Sequence, residues 1–112
     1  MKDKPIYVAF ASPKLEKDFE KLKERKFEDK QLYSFIGRAI EDLKKNPRCG
    51  VKIPRKLWPK SYIKRYQLKN LWKYDLPDAW RLIYTIFEDK VVIINLILEW
   101  FPHKEYERKF RY

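Results

Sequence analysis

A chain of 112 residues with 27 Lys and Arg against 16 Asp and Glu, 45% apolar and 17% aromatic, has the size and composition of one folded domain, expected to span residues 1–112. Its single Cys and single His exclude an intramolecular disulfide and a zinc centre of the usual four ligands. No apolar run approaches the roughly 20 residues that cross a bilayer and no secretory leader is visible, so the expectation is a cytoplasmic protein with no membrane partner, no metal and no small-molecule cofactor.

In chain order, residues 6–11 are a brief apolar run that predicts a buried strand. Ser12 follows as an N-cap with Pro13 at the first helical position, and Leu15, Phe19 and Leu22 recur at helical spacing, predicting a helix over 13–26. Leu32, Phe35, Ile36, Ala39, Ile40 and Leu43 predict a second amphipathic helix over 30–45, stopped by Asn46 and Pro47. Residues 47–61 carry Pro47, Gly50, Pro54 and Pro59 and read as an extended basic connection. Residues 62–70 alternate in a way that suits a strand, with Tyr62, Tyr66 and Leu68 on one face. Residues 71–77 read as a hairpin connection, and residues 79–87 and 91–98 as the strongest strands, the latter apolar on both faces apart from Asn95 and so central in its sheet. The tail from Pro102 to Tyr112 fits either a short helix or a final strand.

This order predicts an α+β fold: an N-terminal strand, two helices, then an antiparallel β-meander, with both helices on one sheet face and the other face, or its rim, free for a ligand.

The charge is localised. Residues 44–74 contain 11 basic residues and no acidic one, leaving 16 basic against 16 acidic in the rest of the chain. Lys52, Arg55, Lys56, Lys60, Lys64, Arg65, Lys69 and Lys73 lie in that block, and Lys104 follows in the tail. Such confinement favours a polyanionic partner, with nucleic acid ahead of a membrane surface or a merely solvated face.

The phrases "SPKLEKDFEKL", "AIEDLKKNPRCG", "YQLKNLWKYDLPDAWRLIYTI" and "VVIINLILEWFPHKEYER" together resemble the RelE/ParE toxins of prokaryotic toxin–antitoxin systems over nearly the whole chain. The resemblance implies an acidic antitoxin that wraps around the domain, and one of two activities. The RelE-like branch cleaves mRNA, on the ribosome or free of it; the ParE-like branch poisons a protein target, DNA gyrase, and lacks the nuclease residues. It also implies site residues. Lys69 and Arg81 fall where the nuclease branch carries a basic strand residue and its arginine, His103 or Lys104 near its second cation, and Tyr106 on its terminal tyrosine. Gln67 stands where the family often has lysine.

The implied chemistry uses the neighbouring 2′-OH of RNA as nucleophile, so the protein supplies charge stabilisation and proton transfer. Arg81 suits the first role through its permanent charge and planar fork, aided by Lys69, with a salt bridge to Asp75 or Asp78 as the alternative for Arg81. His103, the one side chain that titrates near neutrality, suits the second; Glu99 is the reserve base. Tyr106 either serves the leaving group, stacks on a base or packs in the core, and Trp58, Trp72, Trp80 and Trp100 read as core or antitoxin anchors. A catalytically inactive RNA-binding module is the third reading of the chain.

Overall fold

A computed structural model of the chain describes residues 4–110. Strand β1 (Ile6–Phe10) leads into helix α1 (Pro13–Leu22), where the Ser12 hydroxyl accepts the Leu15 amide at 3.1 Å and Pro13 starts the first turn. Helix α2 (Phe27–Lys45) has Glu28 and Asp29 in its first turn and Lys44 and Lys45 in its last, the polarity that complements the helix dipole. It begins three residues earlier than its apolar periodicity indicated, because this first turn is largely solvent-exposed and leaves no apolar trace.

The basic connection contains a two-residue strand, β2 (Val51–Lys52), between single 3₁₀ turns at Pro47–Cys49 and Arg55–Leu57. Helix α3 (Lys60–Arg65) follows, then β3 (Trp72–Leu76), β4 (Trp80–Glu88), β5 (Ile93–Pro102) and helix α4 (His103–Phe110). The five strands form one sheet in the order β1-β5-β4-β3-β2, with β1 parallel to β5 and all other pairs antiparallel. The α+β order and the β3-β4-β5 meander agree with the sequence reading, and β5 is central, as its two apolar faces required.

Three expectations are corrected. Residues 62–70 do not form a strand: Tyr62 and Tyr66 lie four apart on α3 and its end, with ring centroids 6.0 Å apart. The meander's first strand is instead β3, in the segment read as a connection; Trp72, Tyr74 and Leu76 pack on the helix side while Lys73 and Asp75 alternate with them. The tail is a helix as far as Phe110, and Arg111 and Tyr112 lie outside the described residues.

The third correction narrows the expectation of a free face or rim to the rim alone. One face carries α1 and α2, with Phe19, Leu22, Ile36 and Leu43 packed against Leu82, Tyr84 and Ile97. The opposite face has its own core, in which Ile53, Trp58, Tyr62, Tyr106 and Phe110 cover Ile83, Leu98 and Phe101. Burial of a large aromatic such as Tyr106 or Phe110, each 1% exposed, contributes on the order of 2–3 kcal/mol, which is what holds the short α3 and α4 in place. A functional surface on this side must therefore lie at the margins of α4.

Candidate active site

Strand register assembles a polar patch at one margin of α4. The β3–β4 pairing sets Asp75 opposite Arg81, and the β4–β5 pairing sets Arg81 opposite Phe101. Because β5 runs directly into α4, His103 emerges beside the same point. Arg81 Nη2 lies 3.3 Å from His103 Nδ1, and Arg81 Nε lies 3.1 Å from Asp75 Oδ1. The Nε contact is ionic and off the hydrogen-bonding direction, while Nη1 donates to the Trp80 carbonyl at 3.1 Å. Lys73, two residues before Asp75 on the same face, donates to both Asp75 oxygens at 3.0 and 3.2 Å.

On α4, His103 and Glu107 are one turn apart, and His103 Nε2 stands 2.7 Å from Glu107 Oε1. A guanidinium only donates, so the Arg81 contact assigns Nδ1 as the acceptor and leaves the ring proton on Nε2, the nitrogen beside the Glu107 carboxylate. The imidazole thus stands between a cation at Nδ1 and a carboxylate at Nε2. Tyr106 forms the floor: its ring stacks on Phe110 at 4.6 Å, and Lys73 Nζ sits 5.7 Å from its centroid. Its side chain is packed, at 1% exposure, with no surface presented to a substrate.

The two cations are recessed, at 17% exposure for Arg81 and 18% for Lys73, whereas Asp75 is 50% exposed. An anion arriving from solvent meets Asp75 first. If that carboxylate turns aside, two fixed positive charges and an imidazole converge on the vacated position, an arrangement suited to a phosphodiester.

The other predicted residues distribute elsewhere. Lys69 is not part of this patch: it lines a hollow of about 380 Å³ with Lys52, Asn70, Trp72 and Ile86. Asn70 is bonded to the Ile86 backbone, and Ile86 is roughly 16 Å along β4 from Arg81 at the rise of an extended strand. Arg55 lies over the Trp58 ring, 5.5 Å from its centroid. Lys104 is exposed in the first turn of α4, next to His103. Lys56, Lys60, Lys64 and Arg65 occupy the turn before α3 and α3 itself, across α4 from Arg81. The pairing of Arg81 is with Asp75, as the alternative for that residue had it, and Asp78 takes no part among the described contacts.

Glu99 faces away from the patch. Opposite Ile83, next to an irregularity in the β4–β5 pairing, it accepts a hydrogen bond from the Tyr62 hydroxyl and lies 3.2 Å from Lys109 Nζ. Burial first, and the Glu99 carboxylate second, push the Tyr62 phenol far above its ordinary range. Sequence reading missed Glu107 as His103's partner. The signal was the i,i+4 spacing, readable only once the tail is known to be a helix.

The comparisons with known proteins complete the picture. No curated protein and no solved structure gives a significant match to the chain. The family model described as the ParE toxin of the type II toxin–antitoxin system parDE matches residues 10–98, from the end of β1 to within β5. No helix among the described residues is long and apolar enough to cross a membrane. Family members act with a protein antitoxin, and a match over most of the chain decides membership: the protein belongs to the ParE toxin family of type II toxin–antitoxin systems.

Proposed function

We propose that this toxin is an endoribonuclease that cleaves mRNA at the patch formed by Arg81, His103 and Lys73. The observation that carries the reading is the 3.3 Å approach of Arg81 to His103, whose other ring nitrogen has the Glu107 carboxylate 2.7 Å away. Arg81 and Lys73 neutralise the scissile phosphate and the extra charge that develops on it. Once Arg81 turns to the phosphate, His103 Nδ1 is free to take the proton of the adjacent 2′-OH. The 2′-oxygen bonds to phosphorus, the bond to the 5′-oxygen breaks, and that oxygen leaves with a proton delivered by water. The products are a 2′,3′-cyclic phosphate and a 5′-hydroxyl. Tyr106 sets the height of the imidazole and of Lys73, and Lys104 extends the positive surface at the rim. The partner on this reading is mRNA, with an acidic antitoxin covering the patch.

A second reading has its own support. The matching family is named for the ParE toxin, and Asp75 already pairs with both Arg81 and Lys73, as in a surface that binds a protein target such as DNA gyrase without chemistry. The purified protein is to be incubated at low salt with RNA, alone and with translating ribosomes, beside Arg81→Ala and His103→Ala. Cleavage by the wild type and a loss of at least a hundredfold in both variants supports the nuclease. Intact RNA together with inhibited gyrase supercoiling supports the second reading.

A further inference from the structure

Across α4 from the candidate active site, the surface carries two adjoining clefts that the cleavage chemistry does not use. The helix divides them from it: Tyr106 and Phe110 point into the core, His103 and Glu107 flank them on one side, and Lys109 on the other. The first cleft, about 640 Å³, runs between α1 and α3 with Arg25 on one wall and Arg65 on the other, over Glu99 and Lys109. The second, about 600 Å³, is lined by Lys56, Lys60, Arg108 and Lys109 and by no acidic residue. Ser61 and Lys109 belong to both, so the two are continuous.

The charge balance of this trough is one-sided. Its two carboxylates are already taken, Asp18 by Lys14 at 3.3 Å and Glu99 by Lys109 at 3.2 Å. Arg25, Arg65, Lys56, Lys60 and Arg108 make no ion pair among the described residues. At the Arg81 patch, by contrast, Arg81 and Lys73 share the carboxylate of Asp75. Five unpaired cations of the chain thus line the trough, where they repel one another until an anion lies between them.

The walls also discriminate among anions. The Arg65 guanidinium sits 5.8 Å from the centroid of the partly exposed Tyr66 ring, which lines the same cleft. An aromatic face with an arginine beside it is a platform for a flat base, and the hydroxyls of Ser61 and Tyr66 add contacts for sugar or phosphate. An acidic peptide would use the charges and leave the ring idle.

We infer that this trough holds single-stranded RNA, as the second grip on a strand that passes around α4 to the Arg81 patch. The inference rests on RNA being the partner and is independent of whether the chain cleaves it. The test is fluorescence anisotropy with a labelled unstructured oligouridylate over a range of salt, comparing wild type with the double variant Arg25→Gln, Arg65→Gln. Both positions are exposed, and circular dichroism confirms that the variant is folded. Loss of two phosphate contacts weakens binding about tenfold at low salt and flattens the dependence of log K on log salt by about 1.4. If the wild type cleaves RNA, the double variant keeps its rate at saturating RNA while its KM rises. If the wild type binds through these arginines and does not cleave, the trough stands and the nuclease reading falls. Equal binding by both proteins, absence of salt-sensitive binding by the wild type, or displacement of the RNA by polyglutamate at equal charge concentration would overturn the inference.

Discussion

Arg81 and His103, 22 residues apart in sequence, approach to 3.3 Å, and each has a carboxylate on its far side, Asp75 at 3.1 Å and Glu107 at 2.7 Å. The cation therefore dictates which imidazole nitrogen is free of its proton, and Glu107 stands beside the other. Glu107→Gln keeps an acceptor at the same place but removes the charge that would face an imidazolium formed during proton transfer. On the nuclease reading, kcat falls about tenfold with KM nearly unchanged, measured by steady-state cleavage. A change confined to KM would place Glu107 in binding instead.

Asp75 competes with phosphate for Arg81 and Lys73. Replacing it by Asn in Asp75→Asn frees both cations, so RNA affinity rises several-fold at low salt while the folded state loses up to about 1 kcal/mol from their unrelieved repulsion. Anisotropy and urea unfolding check the two halves. Unchanged affinity would show that phosphate does not visit this position.

The buried phenols set an alkaline limit. Burial is the leading cause that raises Tyr62, Tyr74 and Tyr84, and the carboxylates of Glu99 and Asp42 add to it for Tyr62 and Tyr74, with Tyr74 pushed up to about 12. A folded-state value above the unfolded one means that this stabilisation is complete below the ordinary phenol range near ~10 and is lost as pH rises through the folded values. The tyrosinate absorbance of these phenols and the far-UV circular dichroism should change together as pH rises above ~10 to about 12 and beyond. Titration of all phenols near ~10 with the fold intact would contradict the burial.

Two backbone sites make opposite predictions. At Gly50 an added Cβ would stand 2.6 Å from Tyr84 Oη and closer still to the Lys73 carbonyl, in a place where Tyr84 bridges the Gly50 amide at 3.2 Å and the Pro47 carbonyl at 2.7 Å. Gly50→Ala should destabilise by about 1–3 kcal/mol, through the backbone shift it forces and the weakened bridge. Ala79 has φ 61°, next to Asp78 at 59°, in the left-handed region that costs an alanine roughly 1–2 kcal/mol. Ala79→Gly should therefore stabilise by about 0.5–1 kcal/mol after the entropy that glycine adds to the unfolded chain, as read by denaturant midpoint.

Periodicity made β1, α1, α2, β4 and β5 legible, because each has enough apolar residues to fix its phase. It failed at Tyr62 and Tyr66, whose spacing of four satisfies a strand's period of two and a helix turn alike; the exposed Ile63 and the second core decide for the helix. Strand β3 was hidden by its length and by Pro77, although Trp72, Tyr74 and Leu76 alternate with Lys73 and Asp75. In the site, the nearness of Arg81, His103 and Tyr106 could be expected from the resemblance. The displacement of Lys69 could not, since it follows from that same mistaken strand, and neither could the carboxylates that neutralise the patch, which are a matter of register.

On the nuclease reading, the Arg81 and His103 patch directs a 2′-OH at its neighbouring phosphate. The most direct measurement is single-turnover cleavage of two RNAs that differ only by one 2′-deoxy nucleotide on the 5′ side of the cleaved bond, with the fragment ends read by mass spectrometry. The all-ribose RNA should yield a 2′,3′-cyclic phosphate, and the other RNA should stay uncut at that bond. Equal cutting of both strands, or no cutting of either with or without ribosomes, would contradict it.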